Sequence, residues 1–155
     1  MRASSDSPGV VVFPPVLFGG TLLLGLLLHW AWPVRLLPPW GARLLGLVVL
    51  LLGGWLVRSA EAAMKRAGTD PRPDHPSMAV VTDGPFRWTR NPMYLGTTGL
   101  YLGITLLVNA LWPLALLAPL LLVLHWGVVR REERYLEVKF GEPYQAYRAR
   151  VRRWL

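Results

Sequence analysis

The chain has 155 residues, 53% of them hydrophobic and 17% charged, with a mean hydropathy of +0.35 and a formal net charge of +8. That balance excludes an ordinary soluble domain, whose surface needs more charge, and apolar runs such as 22–28 and 44–52 suit lipid instead. The basic residues flank those runs, where anionic headgroups rather than nucleic acid are their partners, and the absence of cysteine excludes disulfides, thiolate nucleophiles and cysteine-ligated metals.

Arg2 is the only basic residue ahead of the first apolar run and no small-x-small cleavage site follows it, so no secretory signal is expected. The first membrane helix is predicted over 16–32. Pro14 and Pro15 stand at its entrance, where a missing N–H costs little, and Pro33 ends it. Pro38-Pro39 mark the turn into a second span over 41–57. A basic connection, 58–91, leads to a third span over 93–108, the most polar of the set, with Tyr94, Thr97, Thr98, Tyr101 and Thr105. Asn109 and Pro113 bracket a tight hairpin into a fourth span over 111–129, in which Pro119 is a candidate kink. In the tail, Tyr144, Tyr147, Val151 and Trp154 recur at helical spacing among arginines, and Pro143 fits a first-turn position. That pattern predicts an amphipathic helix on the membrane surface, or an anchor that only fixes topology. The predicted fold is an all-α integral membrane protein, one membrane domain over 1–155, with about four transmembrane helices and a C-terminal amphipathic helix.

Orientation follows from the basic residues. The 58–91 connection carries Arg58, Lys65, Arg66, Arg72, Arg87 and Arg90. The tail from Arg130 carries eight more, whereas the other two connections hold only Arg35 and Arg43. The positive-inside rule places that connection and both termini in the cytoplasm of a prokaryotic cell membrane. The three histidines, His29, His75 and His125, show no ligand spacing, so no metal is expected.

Along the third span, Tyr94, Thr97, Thr98, Tyr101 and Thr105 fall on one helical face, with Gly96, Gly99 and Gly103 roughly opposite. The glycine face suits close approach by another helix. The hydroxyl face should turn inward, where Tyr101 would line a passage for a lipophilic acceptor. The plainer alternative is that the threonines bond their own backbone.

Two constellations are candidates for chemistry. From Thr82 to Tyr94 the chain reads TDGPFRWTRNPMY, a turn followed by proline at a helix start, whose free N–H groups attract an anion; Arg90 adds a bidentate grip. The alternative is a basic flanking loop with Trp88 at the interface. The second is Arg130-Arg131-Glu132-Glu133, carboxylates at a membrane boundary that need a partner or a function; Arg130 and Glu133, at i,i+3, could simply neutralise each other.

The stretch from Gly68 to Trp154 resembles the membrane methyltransferases related to isoprenylcysteine carboxyl methyltransferase and phosphatidylethanolamine N-methyltransferase. The resemblance rests on Gly84-Pro85-Phe86, Arg90-Asn91-Pro92-Met93-Tyr94-Leu95-Gly96, Glu132-Glu133, Leu136, Phe140-Gly141, Tyr144, Tyr147 and Val151. It implies that the 69–94 loop and the 130–155 tail enclose S-adenosylmethionine against the membrane. The backbone of Ala79, Val80 and Val81, with Phe86, Asn91, Pro92, Met93 and Tyr94, would contact that cofactor. Glu133, together with Glu132, would bind its polar end, and Arg90 and Arg130 would hold a carboxylate of cofactor or substrate. Many relatives have histidine where this chain has Asn91, which can hydrogen-bond but not titrate.

The acceptor implied is a lipophilic small molecule or lipidated partner. In-line attack on an activated methyl needs positioning above all, so a carboxylate acceptor needs no base, whereas an amine or thiol needs one, for which Glu133 is the candidate. No GxGxxG follows a strand-like segment, which argues against a Rossmann cofactor domain. The rivals are a sterol-type NADPH-dependent membrane reductase and a noncatalytic membrane scaffold.

Overall fold

The computed structural model describes residues 9–72 and 75–155. Arg2 and Asp74 lie outside the described residues. Among these residues the ordered elements are all helical. Helix α1 is Pro14–Ala31, α2 is Pro39–Arg66, α3 is Pro92–Val108, α4 is Leu111–Leu124, α5 is Arg130–Phe140 and α6 is Glu142–Arg150. A π turn, His125–Val129, joins α4 to α5 without a break, and a short 3₁₀ turn, Gly84–Arg87, interrupts the loop before α3. Among the described residues, three helices are long and apolar enough to cross a membrane: α1, α2 and the continuous run Leu111–Phe140. The shorter apolar helix α3 accompanies them. Charge begins at Arg130, so the apolar part of the long run ends at 129 and α5 projects beyond it. The protein is an integral membrane protein.

Helix α2 runs nine residues past the expected end at 57. At 1.5 Å per residue it is about 42 Å long, against a hydrocarbon core of roughly 30 Å. The extension is alanine-rich and buries Ala60 and Ala63 against Phe86, Tyr144 and Tyr147. Membrane apolarity is blind to such an extension, because packing on protein holds it. Gly68, at φ +70°, ends the helix.

The glycine face of α3 packs on α2 as expected, and α2 supplies glycines of its own. A Cβ built on Gly53 would lie 2.7 Å from the Leu100 nitrogen, and one on Gly103 would lie 2.7 Å from the Leu50 Cα. Helix α1 pairs with α4 in the same way, Gly25 lying against Pro113. At the end of the bundle far from α5, Asn109 adopts a left-handed conformation and staples the two connections together. Its Oδ1 accepts from the Leu36 and Leu37 N–H groups, and its Nδ2 donates to the Leu37 carbonyl.

The hydroxyl face of α3 turns inward, but most of it satisfies itself. Thr97, Thr98 and Thr105 donate to the carbonyls of Met93, Tyr94 and Tyr101. The tail also differs from expectation. Gly141, at φ +59°, separates α5 from α6, and the α6 residues Tyr144 and Tyr147 are buried in protein rather than in lipid. Val151 and Trp154 lie beyond the helix, with Trp154 packed near His125.

Candidate active site

The segment following α6 clasps the start of α3. The Arg90 N–H donates to the Arg152 carbonyl at 2.9 Å, and both the Thr89 hydroxyl and Asn91 Nδ2 donate to the Arg153 carbonyl at 2.9 Å. Thr89 also accepts from the Asn91 N–H, so the three residues before α3 are fixed from two sides. On the adjoining loop, the Thr69 hydroxyl accepts from the Met78 and Ala79 N–H groups and shapes the approach to Val80 and Val81. The Tyr147 hydroxyl donates to the Phe86 carbonyl, docking α6 on the 3₁₀ turn.

These elements enclose a cavity of about 450 Å³, within the size range of small-molecule sites. The residues singled out from sequence for the cofactor pocket, Ala79, Val80, Val81, Phe86, Arg90, Asn91, Pro92, Met93, Tyr94, Glu132 and Glu133, all border it. Its remaining walls are largely apolar and include Phe13, Pro14 and Phe18 of the α1 entrance, with Met64 and Thr97.

Two expected residues are elsewhere. Arg130 is exposed and does not border the cavity, because the π turn directs the inward face of α5 to Glu132 and Glu133. Tyr101 is 2% exposed, edge-on to Phe18, and its hydroxyl donates to the Pro113 carbonyl at 2.8 Å. It therefore joins α3 to α4 instead of lining a passage. The alternative reading, neutralisation of Glu133 by Arg130, is not found among the described residues either.

Glu133 is held by two other arginines. Arg153 grips it in bidentate fashion, Nη2 to Oε2 at 2.8 Å and Nε to Oε1 at 3.0 Å, while Arg90 Nη2 stands 3.2 Å from Oε1. Arg153 was read from sequence only as tail charge; its place beside Trp154 gives no spacing signal. The Arg90 side chain is 8% exposed, and its Nε and Nη1 are buried without a hydrogen-bond partner. A buried guanidinium with two unsatisfied donors is costly unless something accepts from them. Two guanidinium groups against one carboxylate leave net positive charge, and the free N–H groups of the first α3 turn add to it.

Glu132 is placed differently. It accepts from the Tyr94 hydroxyl at 2.6 Å through Oε1 and has no arginine partner among the described residues. The loop residues Asp70, Arg72 and His75 form a separate polar group at another wall, where the Arg72 guanidinium holds the Asp70 carboxyl far below the usual range.

The apolar helices thus carry, at one end of the bundle, a largely apolar cavity with charged residues on one wall. Residues 42–143 match the phospholipid methyltransferase family, and the chain belongs to that family. An uncharacterized protein from Haemophilus influenzae is 44% identical over 68 residues, covering 44% of this chain and 82% of its own length. No solved structure matches the chain.

Proposed function

We propose that the cavity binds S-adenosylmethionine and that the protein transfers its methyl group to a lipophilic, membrane-held acceptor. The observation that carries this reading is Arg90, which borders the cavity of a methyltransferase family member and keeps two buried donors without a partner. They fit the cofactor's carboxylate, a planar acceptor that matches a guanidinium fork. The cofactor supplies an activated methyl group on a cationic sulfur. Arg90 and the first turn of α3 bind and orient the anionic end. Arg153 and Glu133 keep Arg90 from turning away. Phe86, Met93 and Tyr94 provide the apolar and aromatic walls, and Glu132 and Tyr94 offer a polar edge. The apolar wall from Phe13 to Phe18 excludes water and suits the chain of a lipid. Phospholipid recognition by this family favours the reading over a sterol-type reductase or an inert scaffold.

The orientation proposed with it puts this end of the bundle, and both termini, in the cytoplasm, where the cofactor is made. The test is calorimetry on protein in nanodiscs. Saturable binding of S-adenosylmethionine, lost in Arg90→Ala with the fold intact, supports the reading. Absence of binding by folded wild-type protein overturns it.

A further inference from the structure

The two adjacent glutamates of α5 have different surroundings, and that difference divides their work. Glu133 has both oxygens committed to guanidinium groups, bidentate from Arg153 and single from Arg90. A carboxylate so held is occupied in fixing the two guanidinium groups. Glu132 borders the same cavity, keeps Oε2 without a protein partner among the described residues, and accepts one phenolic hydrogen bond, from Tyr94 on α3. Arg90, whose side chain is more than nine-tenths buried and keeps two donors without a partner, borders the same cavity.

We propose that Glu132, oriented by Tyr94, is the catalytic residue that takes the proton from a protic acceptor, an amine or a thiol, while Glu133 only positions Arg90. This rests on the methyltransferase reading above. The balance is simple. The proton passes to the Glu132 carboxylate from the N–H of the acceptor's ammonium form or from its thiol S–H. The freed lone pair forms the bond to the methyl carbon as the carbon–sulfur bond breaks with its electrons to sulfur, and Glu132 then returns the proton to water.

The electrostatics agree. Burial pushes the Glu132 carboxyl up to about 7 and the charge of Glu133 adds to this, against the Tyr94 hydrogen bond, which lowers it. Besides Tyr94 on α3 and Glu133 on its own helix, Arg90 faces the cavity from the loop and Glu61 from α2. Tyr135, Tyr144 and Tyr147 line it from α5 and α6, and the Asp70, Arg72 and His75 group stands on a further wall. A carboxyl raised to neutrality is ionised above that pH and protonated below it, so a base of this kind fails as pH falls.

The experiment follows the Glu132 carboxyl by infrared difference spectroscopy on protein in nanodiscs, wild type against Glu132→Gln, from acid to alkaline pH. It is paired with methyl transfer from labelled S-adenosylmethionine to dodecylamine, dodecanethiol and dodecanoic acid. We expect a carboxyl that titrates near neutrality, moved upward in Tyr94→Phe because the phenol favours the ionised form. Transfer to the amine or thiol should fall as pH drops through that midpoint. In Glu132→Gln it should lose about 10²-fold or more in turnover, with cofactor affinity by calorimetry nearly unchanged. A carboxyl ionised throughout, insensitivity to Tyr94→Phe, transfer to dodecanoic acid alone, or a loss confined to cofactor affinity overturns the proposal. Should no probe be methylated, the titration alone decides. Failure of wild-type protein to bind S-adenosylmethionine would instead sink the methyltransferase reading.

Discussion

The contact between α2 and α3 allows the energetics of the bundle to be graded residue by residue. A Cβ on Gly53 would stand 2.7 Å from the Leu100 nitrogen and 2.8 Å from the Gly96 oxygen, both backbone atoms that cannot turn aside. Against an ordinary separation of roughly 3.5 Å, the shortfall is about 0.8 Å, and only separation of the helices relieves it. Overpacking of that kind costs about 1–3 kcal/mol. On Gly99 the nearest atom is at 3.0 Å, so Gly99→Ala should cost less. On Gly54 it is a Leu100 side-chain carbon at 3.7 Å, an ordinary contact, so Gly54→Ala should be neutral or mildly stabilising through helix propensity. The assay is reversible unfolding in mixed micelles, read by helical circular dichroism. The expected order of destabilisation is Gly53→Ala, then Gly99→Ala, then Gly54→Ala. Equal effects at Gly53 and Gly54, or none at Gly53, would refute this account of the interface.

Other consequences can be checked alongside. Arg90→Ala and Glu133→Gln should each abolish turnover while leaving membrane insertion intact, and Arg90→Lys should also be impaired because lysine lacks the planar fork. Arg153→Ala should weaken cofactor binding roughly tenfold, and its effect should not add to that of Glu133→Gln in a double-mutant cycle by calorimetry. Tyr101→Phe removes the donor to the Pro113 carbonyl and should cost about 1 kcal/mol of stability with acceptor kinetics unchanged; altered kinetics would restore Tyr101 to the acceptor's path. Because the chain lacks cysteine, Met78→Cys gives a single thiol at an exposed position in the loop. In intact cells an impermeant thiol reagent applied from outside should leave it unlabelled, and labelling would reverse the orientation.

What the sequence revealed divides along physical lines. Helices whose apolarity comes from lipid were legible to within a few residues, since Pro14, Pro39 and Pro92 punctuate their starts and lipid demands unbroken apolar runs. The α2 extension was not, because Ala60 and Ala63 are buried by protein and look neutral in sequence. The glycine stripe of α3 could be read from periodicity alone, yet its complement, Gly46 and Gly53, sits in a helix uniformly apolar enough to hide it. At the site, the two blocks before α3 and along α5 were recognisable together, while neither was decisive by spacing. Arg153 was invisible as a site residue. It reaches Glu133 only because the chain folds back after α6, and that return is set by bonds from the Thr89 hydroxyl and the Arg90 N–H that no local pattern announces. Tyr101 misled for the opposite reason: its position on an inward face was right, but the Pro113 carbonyl was already waiting for its hydroxyl.

The π turn at His125–Val129 has a wider consequence. It adds one residue to a turn of an otherwise continuous helix, and one residue is worth about 100° of rotation. Removing it would keep the lipid-facing half unchanged and swing Glu132 and Glu133 out of the cavity. The turn thus acts as a phase adjuster between two halves of one rod, one whose orientation answers to the bilayer and one whose orientation answers to chemistry. Each half can satisfy its own surroundings without compromise by the other.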